Sequence, residues 1–176
     1  PAAPVVSSVK AKCFAVAETQ GGGEIVERTS RLDPASVRTE LREVRRDSGD
    51  GVPLESADVV VAGGGGMRGA GAFDLARQLA ELWGGAVGAS RLACDLGWCP
   101  PGYQIGLSGR TVAPELYLAV GISGAGQHMA GCANAKTIVA INTDADAPIF
   151  KYARFGLVAD CHVLLPALIA AIKARG

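Results

Sequence analysis

Seven uncharged residues, Leu-Tyr-Leu-Ala-Val-Gly-Ile at 116–122, stand between two glycine-bearing polar turns. A run this short, aliphatic and free of charge reads as a buried strand. The first turn is Gly106-Leu107-Ser108-Gly109. The second runs from Gly121 through Ser123, Gly124, Ala125 and Gly126 into Gln127 and His128. Seven extended residues span roughly 23 Å. The turns therefore sit at opposite ends of the strand unless the chain before Glu115 folds back. Pro114 fixes the direction in which the chain meets the strand, and a back-folded loop before it would bring both turns to one edge.

The same punctuation recurs along the chain. Residues 57–62, ADVVVA, form a β-branched run suited to a parallel strand covered on both sides. Gly63–Gly66 follow at once, then a helix over 72–83 with Phe73, Ala76, Leu79 and Leu82 or Trp83 as its apolar stripe. Residues 86–89 make a short strand. A short helix begins near Ser123 and runs to Cys132. Residues 136–141 make another buried strand, ending at Asn142, and residues 144–148 a loop. Residues 150–152 read as one helical turn and 156–159 as a last strand, ending at Asp160. A terminal helix over 163–174 carries Leu164, Leu168 and Ile172. Strand, glycine turn and helix in alternation predict an α/β domain with a mainly parallel sheet, helices on both faces, Rossmann-like. Ligands of such sheets sit beyond the carboxyl ends of the strands. Five strand ends here carry polar or glycine residues: Gly63–Gly66, Ser90-Arg91, Ser123–His128, Asn142 and Asp160.

Residues 1–56 read as a lead-in to a main domain over 57–176. Strands are predicted at 10–17 and, more weakly, at 24–31. A helix is predicted over 35–46, with Asp33 as N-cap, Pro34 at the first helical position, and Val37, Leu41 and Val44 on one face. Seventeen basic and seventeen acidic side chains balance, and no basic run interleaves with aromatics, which argues against a nucleic-acid partner. No apolar stretch is long enough to span a bilayer, and the first residues lack the apolar block of a secretory signal. The five cysteines follow no zinc-binding spacing and point to a reducing compartment.

Gly64, Gly66 and Gly69 fit G-x-G-x-x-G between a strand and a helix, the pattern that brings backbone N–H groups to a pyrophosphate. The acidic residue expected about twenty positions on is absent; Ala89 stands there. A tight turn without a ligand explains the glycines equally well. Ser123 is either a ligand-binding hydroxyl or an N-cap. His128 is either a ligand contact or a core histidine. Arg91, Asn142 and Asp160, taken singly, favour a surface charge and two turn-formers.

Taken together, several stretches closely resemble one family. Val87-Gly-Ala-Ser-Arg91, Ser108-Gly-Arg-Thr-Val-Ala-Pro-Glu-Leu-Tyr117, Val120-Gly-Ile-Ser-Gly-Ala125, Gln127-His128, Lys136-Thr-Ile-Val-Ala-Ile-Asn142, Ala147-Pro-Ile-Phe150 and Val158-Ala-Asp160 resemble, in one register, the C-terminal FAD-binding domain of electron transfer flavoprotein α subunits. The resemblance covers about residues 57–172. It implies a nucleotide-binding fold related to the deoxyhypusine-synthase-like group and one non-covalent FAD. It implies a β-like subunit as partner, and electron carriage from flavin dehydrogenases, such as acyl-CoA dehydrogenases, to a quinone reductase and the respiratory chain. Mitochondrial matrix and bacterial cytoplasm both suit that family, and its members are electron carriers more than enzymes with substrates of their own. The resemblance places Ser90 and Arg91 beside the flavin, with Arg91 near its redox-active edge. It places the loop Ile105-Gly106-Leu107-Ser108-Gly109 beneath the ring, with the Ser108 hydroxyl on a ring nitrogen. Ser123, Gly124, Ala125, Gly126 and Gln127 fall at the pyrophosphate, and His128 at the ring's carbonyl end. Asn142, Asp160 and the adjoining Cys161 fall at the adenosine half.

Three positions depart from the family. Its S-G-G-R-G is Ala62-Gly-Gly-Gly-Gly66 here, so Gly65 replaces an arginine that helps hold FAD. Leu107 and Ser108 replace the glutamine and threonine of the flavin loop. The family's N-terminal domain has no counterpart of comparable size in this chain. A structural or assembly subunit with weak or no FAD binding is therefore the competing reading. An ordinary nicotinamide enzyme is disfavoured by the missing ribose-binding acid.

Overall fold

The computed structural model describes residues 51–175 without a break and, before them, residues 5, 7–9, 14, 18, 21–22, 24–27, 29 and 32–43. The chain divides into two units, residues 15–48 and residues 1–14 with 49–176. In the smaller unit Asp33 starts a helical turn as expected, its side chain accepting from the Ala35 N–H at 2.9 Å. That turn is a single 3-10 turn, Pro34–Ser36, and residues 37–43 carry no helix. The predicted helix over 35–46 is thus cut to one turn, its last residues lying outside the described ones. Val37 and Leu41 are exposed, and a helix whose apolar face packs on nothing has little to offset its nucleation cost. Most of the predicted strand 10–17 lies outside the described residues. Of 24–31, residues 24–27 and 29 carry no strand and the others lie outside.

The larger unit holds five parallel strands in the order β2-β1-β3-β4-β5: β1 (Val59–Gly63), β2 (Ala86–Ala89), β3 (Leu116–Val120), β4 (Thr137–Asn142) and β5 (Phe155–Val158). Between them lie α1 (Ala72–Leu82), α2 (Arg91–Asp95) and α3 (Gly126–Met129), and α4 (Cys161–Lys173) closes the chain. The β-branched and aliphatic runs predicted the strands because both faces of the inner ones are covered. One register row, Val87–Val61–Leu118–Val139–Phe155, crosses the whole sheet. Its inner members pack under Phe73, Ala76 and Leu79 of α1 and Leu165 and Ile169 of α4. The neighbouring row places Val60, Tyr117 and Ile138 on the other face. There Met129 of α3 and Cys132, with Ile105, Val112 and Ile149 from connecting segments, cover them.

Two stripes shift from expectation. Leu82 is exposed at the end of α1, and Trp83 alone packs there. On α4 the buried centre is Cys161, Leu165 and Ile169, four apart, with Leu164, Leu168 and Ile172 half-buried beside it. The helix begins two residues earlier than the apolar run because Asp160 caps it, accepting from the His162 N–H at 2.9 Å. α2 was not predicted. Ser90 caps it, accepting from the Ala93 N–H at 3.4 Å, and five residues are too few to show helical periodicity.

The strand order reverses between β1 and β3, since β2 lies on one side of β1 and β3 to β5 on the other. That reversal opens a crevice beyond the carboxyl ends of β1 and β3.

Candidate functional site

The turns that follow β1 and β3 meet in this crevice backbone to backbone. The Gly64 N–H donates to the Val120 carbonyl at 2.8 Å, and the Gly66 N–H to the Gly121 carbonyl at 2.9 Å. The Cα atoms approach so closely that a Cβ on Gly64 would lie 2.3 Å from the Gly121 oxygen. Gly121 holds φ +61°, open to glycine without strain. Two glycines of the G-x-G-x-x-G pattern are thereby accounted for. The N–H groups of Gly64 and Gly66 are donated within the protein, Met67 and Arg68 bond back to Gly64 and Gly65, and Gly69 approaches nothing. Gly64 and Gly66 serve the joint between two turns.

The second turn behaves differently. Among the described residues, the backbone N–H groups of Ser123 to Gln127 donate to no backbone carbonyl. Ser123, Ala125, Gly126 and Gln127 are exposed. The turn is braced from behind: the Ile149 N–H donates to the Ser123 carbonyl at 2.9 Å, and Gly124, at φ +85°, lies so close to Ile149 that no side chain fits. The segment Ala147-Pro-Ile-Phe150 is therefore a buttress for the turn, and its helical part is the 3-10 turn Pro148–Lys151.

The loop before β3 folds back, which removes the 23 Å separation. The Ile105 N–H bonds the Ala89 carbonyl at the end of β2, and the Leu107 N–H bonds the Gln127 carbonyl at 2.7 Å. Gly106, at φ +144°, lies against Gln127 and His128 where a Cβ would clash. Arg110 clamps the loop from the other side. Its backbone pairs with Gln104 and Gly106, its Nε donates to the Gly102 carbonyl at 2.6 Å, and its guanidinium forms an ion pair with Glu55. Ser108 accepts from the Gln104 amide at 2.9 Å, and Leu107 is exposed.

Beneath the loop lies a buried histidine. His128 sits on α3, 8 % exposed, with Nε2 2.9 Å from the Tyr117 hydroxyl of β3. Its Nδ1 is buried and has no hydrogen-bond partner among the described residues. Burial drives the imidazole pKa down to about 4, opposed by the Ile105 backbone. The ring is therefore neutral at physiological pH.

At the far ends of the crevice the expected residues are partly committed. The Asn142 amide donates to the Ile122 carbonyl at 3.0 Å and accepts from the Asp144 N–H at 3.0 Å. One N–H and one lone pair remain. Asp160 caps α4, and Cys161 is buried with its thiol toward the Gly66 carbonyl at 3.9 Å. A shallow recess lined by Gly66, Gly121, Asn142, Ala159 and Cys161 joins them to the glycine joint. On the opposite side Arg91 is exposed and pairs with Asp95 at 3.3 Å. From β2 to β5 the crevice crosses four strand spacings, roughly 19 Å, the shape of a site for an extended ligand. Sequence reasoning did not find Tyr117 as the partner of His128 or Arg110 as the clamp of the loop. Which face of β3 carries Tyr117 follows only from the register.

An all-parallel sheet with its polar groups at a strand-order reversal is a Rossmann-like α/β arrangement, in which ligands sit at that reversal. Residues 53–133 match the family model described as the electron transfer flavoprotein FAD-binding domain. The chain is 42 % identical over 159 residues to an electron transfer flavoprotein subunit alpha of Thermoanaerobacterium thermosaccharolyticum, covering 90 % of this chain and 48 % of that protein. It is 41 % identical over 170 residues to the corresponding subunit of Syntrophomonas wolfei, covering 97 % of this chain and 54 % of that one. It is 45 % identical over 154 residues to Protein FixB of Azotobacter vinelandii, covering 87 % and 43 %. The chain is thus similar to electron transfer flavoprotein α subunits through a FAD-binding-domain match, and it spans about half the length of these relatives. Among the described residues no helix is long and apolar enough to cross a membrane.

The chain's own geometry suits such a cofactor. A dinucleotide presents phosphate oxygens and ring carbonyls, all acceptors. Among the described residues, the turn at 123–127 presents backbone N–H groups without protein acceptors, and His128 presents a buried nitrogen without a partner in hydrogen-bond geometry.

Proposed function

We propose that this chain forms the FAD-binding part of an electron transfer flavoprotein α subunit. In this reading it works with a β-like subunit, receives electrons from flavin dehydrogenases such as acyl-CoA dehydrogenases, and passes them toward a quinone reductase. One observation carries the reading: the back-folded loop at 105–109 and the donor-rich turn at 123–128 share a single crevice around His128. Bound FAD would supply the electron-accepting ring. The chain's residues would do the rest. The turn at 123–127 aims N–H groups at the pyrophosphate, and Asn142 and Asp160 offer their remaining polar atoms to the adenosine half. The loop at 105–109 covers the ring and excludes water, with the Ser108 hydroxyl within reach of a ring nitrogen. Arg91 stands at the end of β2 as a cation that favours added negative charge nearby.

The test is an absorbance spectrum of the chain purified under native conditions, with co-purifying partners identified. Stoichiometric flavin absorbance supports the carrier. Its absence, with no recovery on adding FAD, supports a structural subunit, the reading favoured by Gly65 and by the exposed Leu107. Arg91→Ala is expected to lower the flavin potential by roughly 30 mV, the equivalent of about 1.4 kcal/mol for a two-electron couple. An unchanged potential in a variant that retains FAD removes Arg91 from this role.

Gly65 offers a gain-of-function check. A Cβ there meets only the flexible end of Leu92, 2.6 Å from Cδ2. Gly65→Arg is expected to fold and to tighten FAD binding about tenfold through charge-assisted bonds to phosphate. Equilibrium dialysis against FAD reads the change, and equal or weaker binding counts against a phosphate-facing position.

A further inference from the structure

The crevice contains a buried polar trio that the flavin reading does not use in full. Tyr117 on β3, His128 on α3 and Cys132 after α3 lie together on one face of the sheet. Tyr117 and Cys132 are fully buried, and His128 nearly so. The rings of Tyr117 and His128 are tilted at 51° with centroids 6.2 Å apart, so they meet through the hydroxyl and not by stacking. A neutral imidazole carries one N–H, and which nitrogen holds it depends on the partner of the other.

Two arrangements satisfy the 2.9 Å contact between the Tyr117 hydroxyl and Nε2. In one, Nε2–H donates to the Tyr117 oxygen and the phenol proton turns to the Cys132 sulfur. In the other, the phenol donates to a bare Nε2 and the proton sits on Nδ1. Sulfur is a weak acceptor, and imidazole nitrogen a strong one. The Cys132 thiol already has an oxygen acceptor in the His128 carbonyl at 3.6 Å. Pairing the strongest donor with the strongest acceptor selects the second arrangement. Burial holds the Tyr117 phenol well above its usual range and pushes Cys132 up to about 12, so both keep their protons.

We infer that Tyr117 is a positioning residue that locks His128 in the neutral Nδ1–H tautomer, making His128 a hydrogen-bond donor, and not an acceptor, toward a bound ligand. Among the described residues Nδ1 meets no acceptor in hydrogen-bond geometry, and a buried N–H in that position costs about 1–3 kcal/mol, so the site is set to gain from a ligand that brings an oxygen to Nδ1. The ligand half of this inference rests on the flavin reading, in which the oxygen is a carbonyl of the ring.

The test is a long-range proton–nitrogen correlation spectrum of the full chain labelled with 15N-histidine. Only His128 and His162 contribute, and His162→Gln assigns them. The expected result is a single tautomer for His128 with Nδ1 protonated and Nε2 bare. A protonated Nε2, or an even mixture, overturns the inference directly from the unsubstituted chain. Tyr117→Phe, close to isosteric, is expected to release the lock, so that Nε2–H appears in the spectrum and FAD binding weakens about tenfold. A Tyr117→Phe variant that keeps pure Nδ1–H shows that Tyr117 does not set the tautomer. Adding FAD to the unsubstituted chain is expected to move the Nδ1 resonances. If the tautomer is as stated and they do not move, the flavin reading fails while the lock stands.

Discussion

Gly121→Ala is expected to destabilise the domain by about 2–5 kcal/mol. The left-handed backbone costs an L-residue roughly 1–2 kcal/mol, and forcing a methyl into a filled space costs about 1–3 kcal/mol. Here the added Cβ would lie 2.8 Å from the Cα and carbonyl carbon of Gly66 and 2.9 Å from the Met67 nitrogen. These are backbone atoms held by hydrogen bonds, so no rotamer change relieves them. Urea unfolding followed by circular dichroism reads the loss. Gly126→Ala is the control, because nothing lies within 4 Å of its Cβ and it sits inside α3. That change is expected to be neutral or to stabilise by about 0.5–1 kcal/mol. Equal losses at the two positions would mean that the joint between the turns does not hold the fold.

The second large effect is acid sensitivity. His128 ionises near 4 in the folded chain because it is buried, against an ordinary value of 6.5. The unfolded chain therefore takes up a proton as pH falls through 6.5, while the folded chain refuses it until about 4. Stability is full above 6.5 and is lost between 6.5 and 4, by about 3 kcal/mol in all. Glu55 adds a loss of the same sign. Burial raises its pKa, but the hydrogen bond and charge of Arg110 outweigh this and leave it lowered. Comparison with His128→Gln isolates the histidine. Its unfolding free energy is expected to be flatter across that window, measured by urea titrations at pH 7 and pH 4.5. Parallel curves for the two proteins would remove His128 from the acid response.

The strands were legible because they sit inside a two-sided sheet, where nearly every position must be apolar. ADVVVA and KTIVAI admit little else. The candidate crevice was legible as a set of strand ends because a parallel sheet brings those ends to one edge. Three features were not. The glycines at 64 and 66 carry the pattern of a phosphate loop, yet a glycine that admits a ligand and one that admits another turn look alike in sequence. The helix predicted over 35–46 had a sound cap and a periodic face, but Val37 and Leu41 find nothing to pack on among the described residues. Periodicity shows which face an element would bury, not whether a partner exists. The bond between Tyr117 and His128 joins residues eleven apart through a strand and a turn, and it appears only once the register decides that Tyr117 points to the side of α3.

The joint between Gly64–Gly66 and Gly121 is made wholly of main chain. It asks nothing of neighbouring side chains except that three of them be absent. Gly65, Leu107 and Ser108, the positions proposed to bear on the cofactor, lie outside that requirement, and Leu107 and Ser108 face solvent. Substitutions there can accumulate in a lineage without passing through an unfolded intermediate. The scaffold thus tolerates drift at these positions, and a descendant can change what its crevice would hold while the fold remains unaltered.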